Sequence, residues 1–271
     1  MDILQTMGKL TVTAVLAVLL LSDVSSAKKE KELTIGEKFH NDTSLTWKGV
    51  IGDTFRSKPK KPPEFKLYPK AKKIQLPKPD YKGVSVEEAI KQRRSIRNYS
   101  KKPLTKAQLS QLLFSAQGVT DKIYDKALRA APSAGALYPF EVYVVVNNVE
   151  EIPQGIYHYS VLDHTLELVK AGDFRDKITD AGLKQEMLGE AGVTFILSAI
   201  FDRVRTKYGE RGYRYTYMEA GHISQNLYLQ SVSLGLGSVC AGAFLDEKVN
   251  QLIDVDGEKE AAIYLHAVGT L

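Results

Sequence analysis

The run from Val193 to Phe201 (Val-Thr-Phe-Ile-Leu-Ser-Ala-Ile-Phe) contains no charged residue and reads as a strand buried on both faces. Such a strand needs other elements to cover it, and the neighbouring segments supply them. Glu141-Val142-Tyr143-Val144-Val145-Val146 is β-branched and reads as a second strand. Ile156 to Tyr159 and Thr165 to Val169 form a hairpin pattern that turns near Leu162-Asp163-His164. Ala261 to Val268 reads as a closing strand.

Helical signals lie between these strands. Ser85-Val86-Glu87-Glu88 is a capping box that opens a helix-compatible run to Arg94. Thr105-Lys106-Ala107-Gln108 is a second box, followed by Leu109, Leu112, Leu113 and Ala116 at helical spacing and stopped by Gly118. Phe174 to Leu188 and Met218 to Leu234 read as further helices. In the latter, Ile223, Leu227 and Leu234 lie on one side, and Gly221 and Ser224 allow close packing. Strands and helices do not alternate regularly, and no internal repeat is visible. The expected class is therefore α+β rather than a doubly wound sheet.

A length of 271 residues allows one large domain or two small ones. The net charge of +5 is mildly basic, yet no zinc-finger, helix-turn-helix or RNA-recognition signature accompanies it, so a nucleic-acid partner is not expected. Walker A and Gly-x-Gly-x-x-Gly patterns are also missing from the sequence. Cys240 is the single cysteine, which rules out an intramolecular disulfide and argues against a cysteine-ligated metal. It reads as a small core residue. His158 and His164 have no second ligand at metal spacing, so both read as structural or exposed, and no metal site is expected.

Lys9, the apolar run Leu10 to Leu21 and the small residues Ser25-Ser26-Ala27 read as a signal peptide over residues 1–27. The run is short for a bilayer span, which needs about 20 residues. The expectation is an exported protein with no integral span after cleavage, the alternative being an N-terminal membrane anchor. Residues 28–83 form a Lys- and Pro-rich arm that should be extended and wrap over the surface or a partner subunit. Phe39, Trp47, Phe55, Phe65 and Tyr68 suggest that it docks. The main domain is expected to span residues 84–271.

Arg93, Arg94 and Arg97 fall within five residues, beside Ser95, at a helix end. Guanidinium groups present a planar fork of donors that fits phosphate oxygens, each such bond contributing roughly 1.5–3 kcal/mol. Pro132, Ser133, Ala134 and Gly135 form a small-residue loop leading to the Glu141 strand. Small side chains let backbone approach a flat ligand and offer it N–H groups. Asp202 to Tyr217 is a polar and aromatic stretch containing Lys207 and Tyr208. Gly237 to Phe244 is a second small-residue strand or loop.

Taken in this order, Arg93-Arg94-Ser95-Ile96-Arg97, Ala131 to Pro139, and Glu219 to Leu227 with Leu234-Gly235-Leu236-Gly237 after it resemble the nitroreductase superfamily. More narrowly, they resemble its SagB-type dehydrogenases. The resemblance extends over roughly Thr34 to Leu271. It implies a central mixed, mainly antiparallel sheet flanked by helices, in an intertwined homodimer with FMN at the interface. It also implies that Arg93, Ser95 and Arg97, with Arg94 adjacent, hold the FMN phosphate and ribityl chain. Pro132, Ser133, Ala134 and Gly135 then match the loop along one flavin edge, and Ala241, Gly242 and Ala243 match the backbone on its other side. Lys207 and Tyr208 stand where azoline-oxidising relatives use a Lys-Tyr pair. A desolvated lysine can serve there as base while hydride leaves to flavin N5. The expected activity is two-electron transfer on a nitro compound, a quinone or a peptide-derived heterocycle. A flavin carrier on the same fold is the alternative. The export signal sits poorly with azoline oxidation, though not with flavin binding.

Overall fold

The computed structural model describes residues 32–46, 58–124 and 126–271. The expected signal peptide, Trp47 and Phe55 lie outside these residues. The chain divides after Ser44 into two units. Among the described residues, the first unit carries helix α1 (Ile35–Asp42), opened by a reciprocal Thr34/Glu37 capping box. The arm is thus not extended throughout.

In the second unit the elements follow as β1 (Lys73–Gln75), α2 (Val86–Gln92), α3 (Lys106–Gln117), β2 (Val119–Ile123), β3 (Lys126–Arg129) and β4 (Phe140–Val146). After these come β5 (Gly155–Ser160), β6 (Thr165–Ala171), α4 (Arg175–Ala181), α5 (Met187–Glu190) and β7 (Val193–Ala199). The chain closes with α6 (Asp202–Tyr208), α7 (Arg211–Ser233), β8 (Leu236–Ala241), α8 (Asp246–Leu252) and β9 (Ala261–Thr270). Seven strands form one sheet in the order β1-β6-β5-β4-β7-β9-β8, with every ladder antiparallel. A parallel bridge from Ser95 to Ser238 adds to the β8 edge.

Helices cover both faces, which is why β4 and β7 are buried along their whole length. Alternate side chains of a strand point to opposite faces. Val142, Val144 and Val146 of β4 and Phe195 and Leu197 of β7 therefore meet Leu109, Leu112 and Leu113 of α3 and Ile223 and Leu227 of α7. Tyr143, Val145 and Ile196 meet Ile178 of α4, Leu188 of α5 and Val249 and Leu252 of α8. The buried strand, the hairpin, the closing strand and the Thr105 box all form as expected. Among the described residues no helix is long and apolar enough to cross a membrane.

Three segments differ from expectation. The helix read over Phe174 to Leu188 is two, because Leu183 and Lys184 turn into left-handed backbone after Gly182. The polar-aromatic stretch before Met218 is helical: α6 fills its first half, and α7 begins seven residues early at Arg211. Within the chain Gly221 packs against no neighbour, since a Cβ there would meet none of the described residues within 4 Å; Ser224 packs closely, being buried and bonded to His266 Nδ1 at 2.9 Å.

Part of the arm docks through charge rather than through apolar contact alone. Tyr68 Oη meets Tyr143 Oη at 2.9 Å, and Lys66 pairs with Glu260 at 2.6 Å. Beneath them a line of alternating charge crosses the core: Arg203 to Glu141 at 2.6 Å, Glu141 to His158 at 2.8 Å, His158 to Glu167 at 3.0 Å, and Glu167 to Lys73 of β1 at 3.2 Å. Both imidazole nitrogens of His158 face carboxylate oxygens, so the doubly protonated ring satisfies both. Burial lowers the proton affinity of His158, but its hydrogen bonds to Glu141 and Glu167 outweigh that and raise its pKa. His158 is therefore structural. His164 is as well, bonded to Ser110 at 2.7 Å and Tyr159 at 2.7 Å.

Candidate active site

The arginine cluster sits where α2 ends. Arg93 is the cap residue of that helix, and Arg94 turns back to donate to the carbonyls of Lys91 at 3.1 Å and Arg93 at 2.7 Å. Arg94 is thereby occupied with the helix end, where cations are favoured. Arg93 lies over the Tyr228 ring at 5.2 Å, and Arg97 is exposed. Among the described residues no carboxylate lies within ion-pair distance of Arg93, Arg94 or Arg97. Two cations beside a hydroxyl, with their charge uncompensated, suit an anionic phosphate.

The same cluster is tied to β8. Ile96 N donates to Ser238 O at 2.9 Å, and Ser95 Oγ meets Tyr228 Oη at 3.0 Å. Tyr228 Oη in turn accepts from Cys240 N at 3.0 Å, and Cys240 Sγ meets Tyr264 Oη at 2.8 Å. Cys240 is thus half-buried within a chain of hydroxyl groups rather than an apolar filler. At the end of β8, Ala241 is buried while Gly242 and Ala243 are exposed. Among the described residues a Cβ on Gly242 would touch the Tyr264 ring alone, at 3.6 Å. Arg93, Ser95 and Ala241 to Ala243 are therefore strung along one sheet edge.

The second group assembles elsewhere. Pro132 is exposed, and Ser133, Ala134 and Gly135 are half-buried ahead of β4. Ser133 Oγ accepts from Tyr138 N at 2.9 Å and closes the loop. Gly135 has φ +64, and a Cβ built there would lie 2.8 Å from Tyr208 Oη and 3.0 Å from Lys207 Nζ. Two segments about 70 residues apart in sequence therefore meet tip to backbone, and the positive φ is what favours glycine in the loop. Lys207 is exposed and stands 5.3 Å from the Tyr208 ring centre.

Behind this loop lies a residue whose role sequence reasoning missed, although it opens the Glu219 to Leu227 motif. Glu219 is 2% exposed, and among the described residues its Oε1 and the Nε2 of Gln117 are both buried without a hydrogen-bond partner. Burial pushes its carboxyl up to about 8, against the pull of Ser133 and the charge of Arg129. It is thus a neutral acid at the back of the loop near pH 7. Between 4.5 and about 8 the folded chain keeps a proton that the unfolded chain has released. Stability should therefore fall as pH rises through that window, by up to about 1.4 kcal/mol per unit, and level off above it. Glu219→Gln should flatten this slope in denaturant unfolding between pH 5 and 8. Equal slopes for the variant and the native chain would exclude Glu219 as the group responsible.

The two groups face away from each other within one chain. Glu219 and Tyr228 are nine residues apart on α7, or about two and a half turns, which places them on opposite sides of the helix. A third stripe of α7, formed by Met218, Gly221, His222 and Gln225, faces outward.

The antiparallel sheet covered on both faces has its counterpart among known proteins. Residues 90–270 match the nitroreductase family, and the chain belongs to that family of oxidoreductases. A protein named as a nitroreductase from Methanocaldococcus jannaschii is 39% identical over 196 residues, covering 72% of this chain and 95% of its own length. The microcin B17-processing protein McbC of Escherichia coli is 31% identical over 146 residues, covering 52% of this chain and 54% of McbC. Among solved structures, a nitroreductase from Anabaena variabilis superposes with a TM-score of 0.71 at 27% identity, covering 90% of this chain and 49% of that one.

Proposed function

We propose that this chain is an FMN-dependent oxidoreductase of SagB type, acting as an exported homodimer on a small organic or peptide-derived substrate. The observation that carries this reading is the meeting of Gly135 with Lys207 and Tyr208, opposite a cluster of uncompensated arginines. Bound FMN would supply N5 as the atom that accepts or returns a hydride.

The protein's own residues perform the remaining tasks. Arg93 and Arg97 would hold the phosphate, and Ser95 would position the chain that carries it. The backbone of Pro132 to Gly135 and that of Ala241 to Ala243 would offer N–H groups to the flat ring. Lys207, as the free amine, would take a proton from the substrate atom next to the carbon whose C–H bond gives up the hydride, leaving a double bond between them, and Tyr208 would orient that amine. Since Lys207 is exposed in the single chain, the dry surroundings a lysine base needs come from substrate, cofactor and a second chain. The opposed faces of α7 support the homodimer: the phosphate group of one chain and the loop of another can border one flavin. The outward stripe of Met218, Gly221, His222 and Gln225 offers a contact surface. That McbC processes microcin B17 supports a peptide-derived substrate. Export rests on the apolar run Leu10 to Leu21 and the small residues after it.

The test is an absorption spectrum of the protein from Lys28 onward after FMN is added and the excess removed. Flavin bands at about one per chain are expected; a folded protein that retains none would overturn the reading. With the flavin in place and a turned-over substrate identified, Lys207→Ala should lower kcat by about 10²- to 10⁴-fold, the usual worth of a positioned base. Full turnover in that variant would remove Lys207 from the mechanism.

A further inference from the structure

We propose that Arg203 is the positioning residue of this site, and that through it the N-terminal arm sets where Lys207 and Tyr208 stand. Arg203 is 1% exposed and sits on α6, four residues before Lys207. Its guanidinium fork reaches three separate parts of the chain. Nε donates to Pro63 O of the arm at 2.8 Å, Nη1 to Tyr138 O at 3.2 Å, and Nη2 to Glu141 Oε1 at 2.6 Å. Tyr138 closes the Pro132–Gly135 loop, and Glu141 belongs to β4. One buried side chain therefore fastens the helix that carries Lys207 and Tyr208 to the loop their tips touch. A second link runs the same way: Lys58 Nζ of the arm donates to Lys207 O at 3.4 Å. Because a guanidinium directs its donors in a fixed plane, a lysine at 203 could keep the Glu141 pair but not all three bonds.

This proposal rests on the role given above to Lys207, and the experiment separates the two. Native protein and Arg203→Lys, both saturated with FMN, are labelled briefly with acetic anhydride. The yield at Lys207, read by peptide mass spectrometry, is divided by the yield at the exposed Lys122. Arg203→Lys should change that ratio several-fold, while the phosphate group on the far side of α7 keeps its own contacts. With a turned-over substrate, kcat should fall by about 100-fold at unchanged KM, the scale attached to a misplacement of about 1 Å. An unchanged labelling ratio would overturn the positioning role, whether or not the protein turns anything over. Should Arg203→Lys fail to fold, Arg203→Met with Glu141→Gln removes both charges together and is read in the same way. If native protein retains no FMN, the functional reading fails while the labelling comparison, run on the flavin-free chain, still decides the role of Arg203.

Discussion

Replacing Arg93 and Arg97 together by alanine should strip FMN from the protein without unfolding it. Neither side chain is paired with a carboxylate among the described residues, and Arg97 is exposed, so little of the fold depends on them. Arg93 gives up its place over the Tyr228 ring, a contact worth about 0.5–1 kcal/mol at an exposed site. The cofactor loses two charge-assisted hydrogen bonds at roughly 1.5–3 kcal/mol each. At about 1.4 kcal/mol per decade, FMN affinity should fall by about 10²- to 10⁴-fold. Flavin fluorescence titration measures the loss, and circular dichroism checks the fold. If the double variant binds FMN within tenfold of the native chain, the phosphate site has been placed wrongly.

The largest loss of stability is expected from Glu141→Ala. Glu141 lies between Arg203 and His158, both buried, and its removal leaves Arg203 in the core without its carboxylate and His158 with Glu167 alone. Breaking a buried pair by deleting one partner costs about 3–5 kcal/mol. For a chain of this size that is a drop in Tm of roughly 6–20 °C. The penalty also depends on pH. The pKa of His158 is raised above 6.5 in the folded chain, so its pairing contributes fully below 6.5 and is lost as pH rises through the folded value. The gap between the native chain and Glu141→Ala should therefore narrow on going from pH 6 to pH 9. A small shift in Tm, independent of pH, would mean that the Arg203–Glu141–His158 line contributes little to holding the core.

Much of the scaffold is legible in the amino-acid order because its signals are local. Val193 to Ala199 announces itself by an apolar run, Thr105 by its capping box, and the β5–β6 hairpin by strand composition around a turn. The β2–β3 hairpin is not legible: Val119–Ile123 is largely exposed, Lys126–Arg129 buries an alanine and an arginine, and neither carries an alternating apolar pattern. The start of α7 is hidden for a related reason: Arg211 to Tyr217 looks polar, yet Thr216 is buried and Tyr213 packs on Phe201 at 4.7 Å. At the site, the arginines, the glycine loop and the Lys-Tyr pair can each be picked out as residue types in context. Their distribution over two faces of α7 follows only from helix phase once its true start is known. Arg203 leaves no local trace, because its partner Glu141 is 62 positions away.

The opposed faces of α7 have a genetic consequence. If each reaction centre takes its phosphate anchors from one chain and its Lys-Tyr pair from the other, the two kinds of damage are separable. A chain lacking Arg93 and Arg97 and a chain lacking Lys207 are each inert when paired with themselves. Mixed together, they form one centre that inherits both defects and one that inherits neither. Two loss-of-function alleles carried in one cell would then restore part of the activity that neither provides alone.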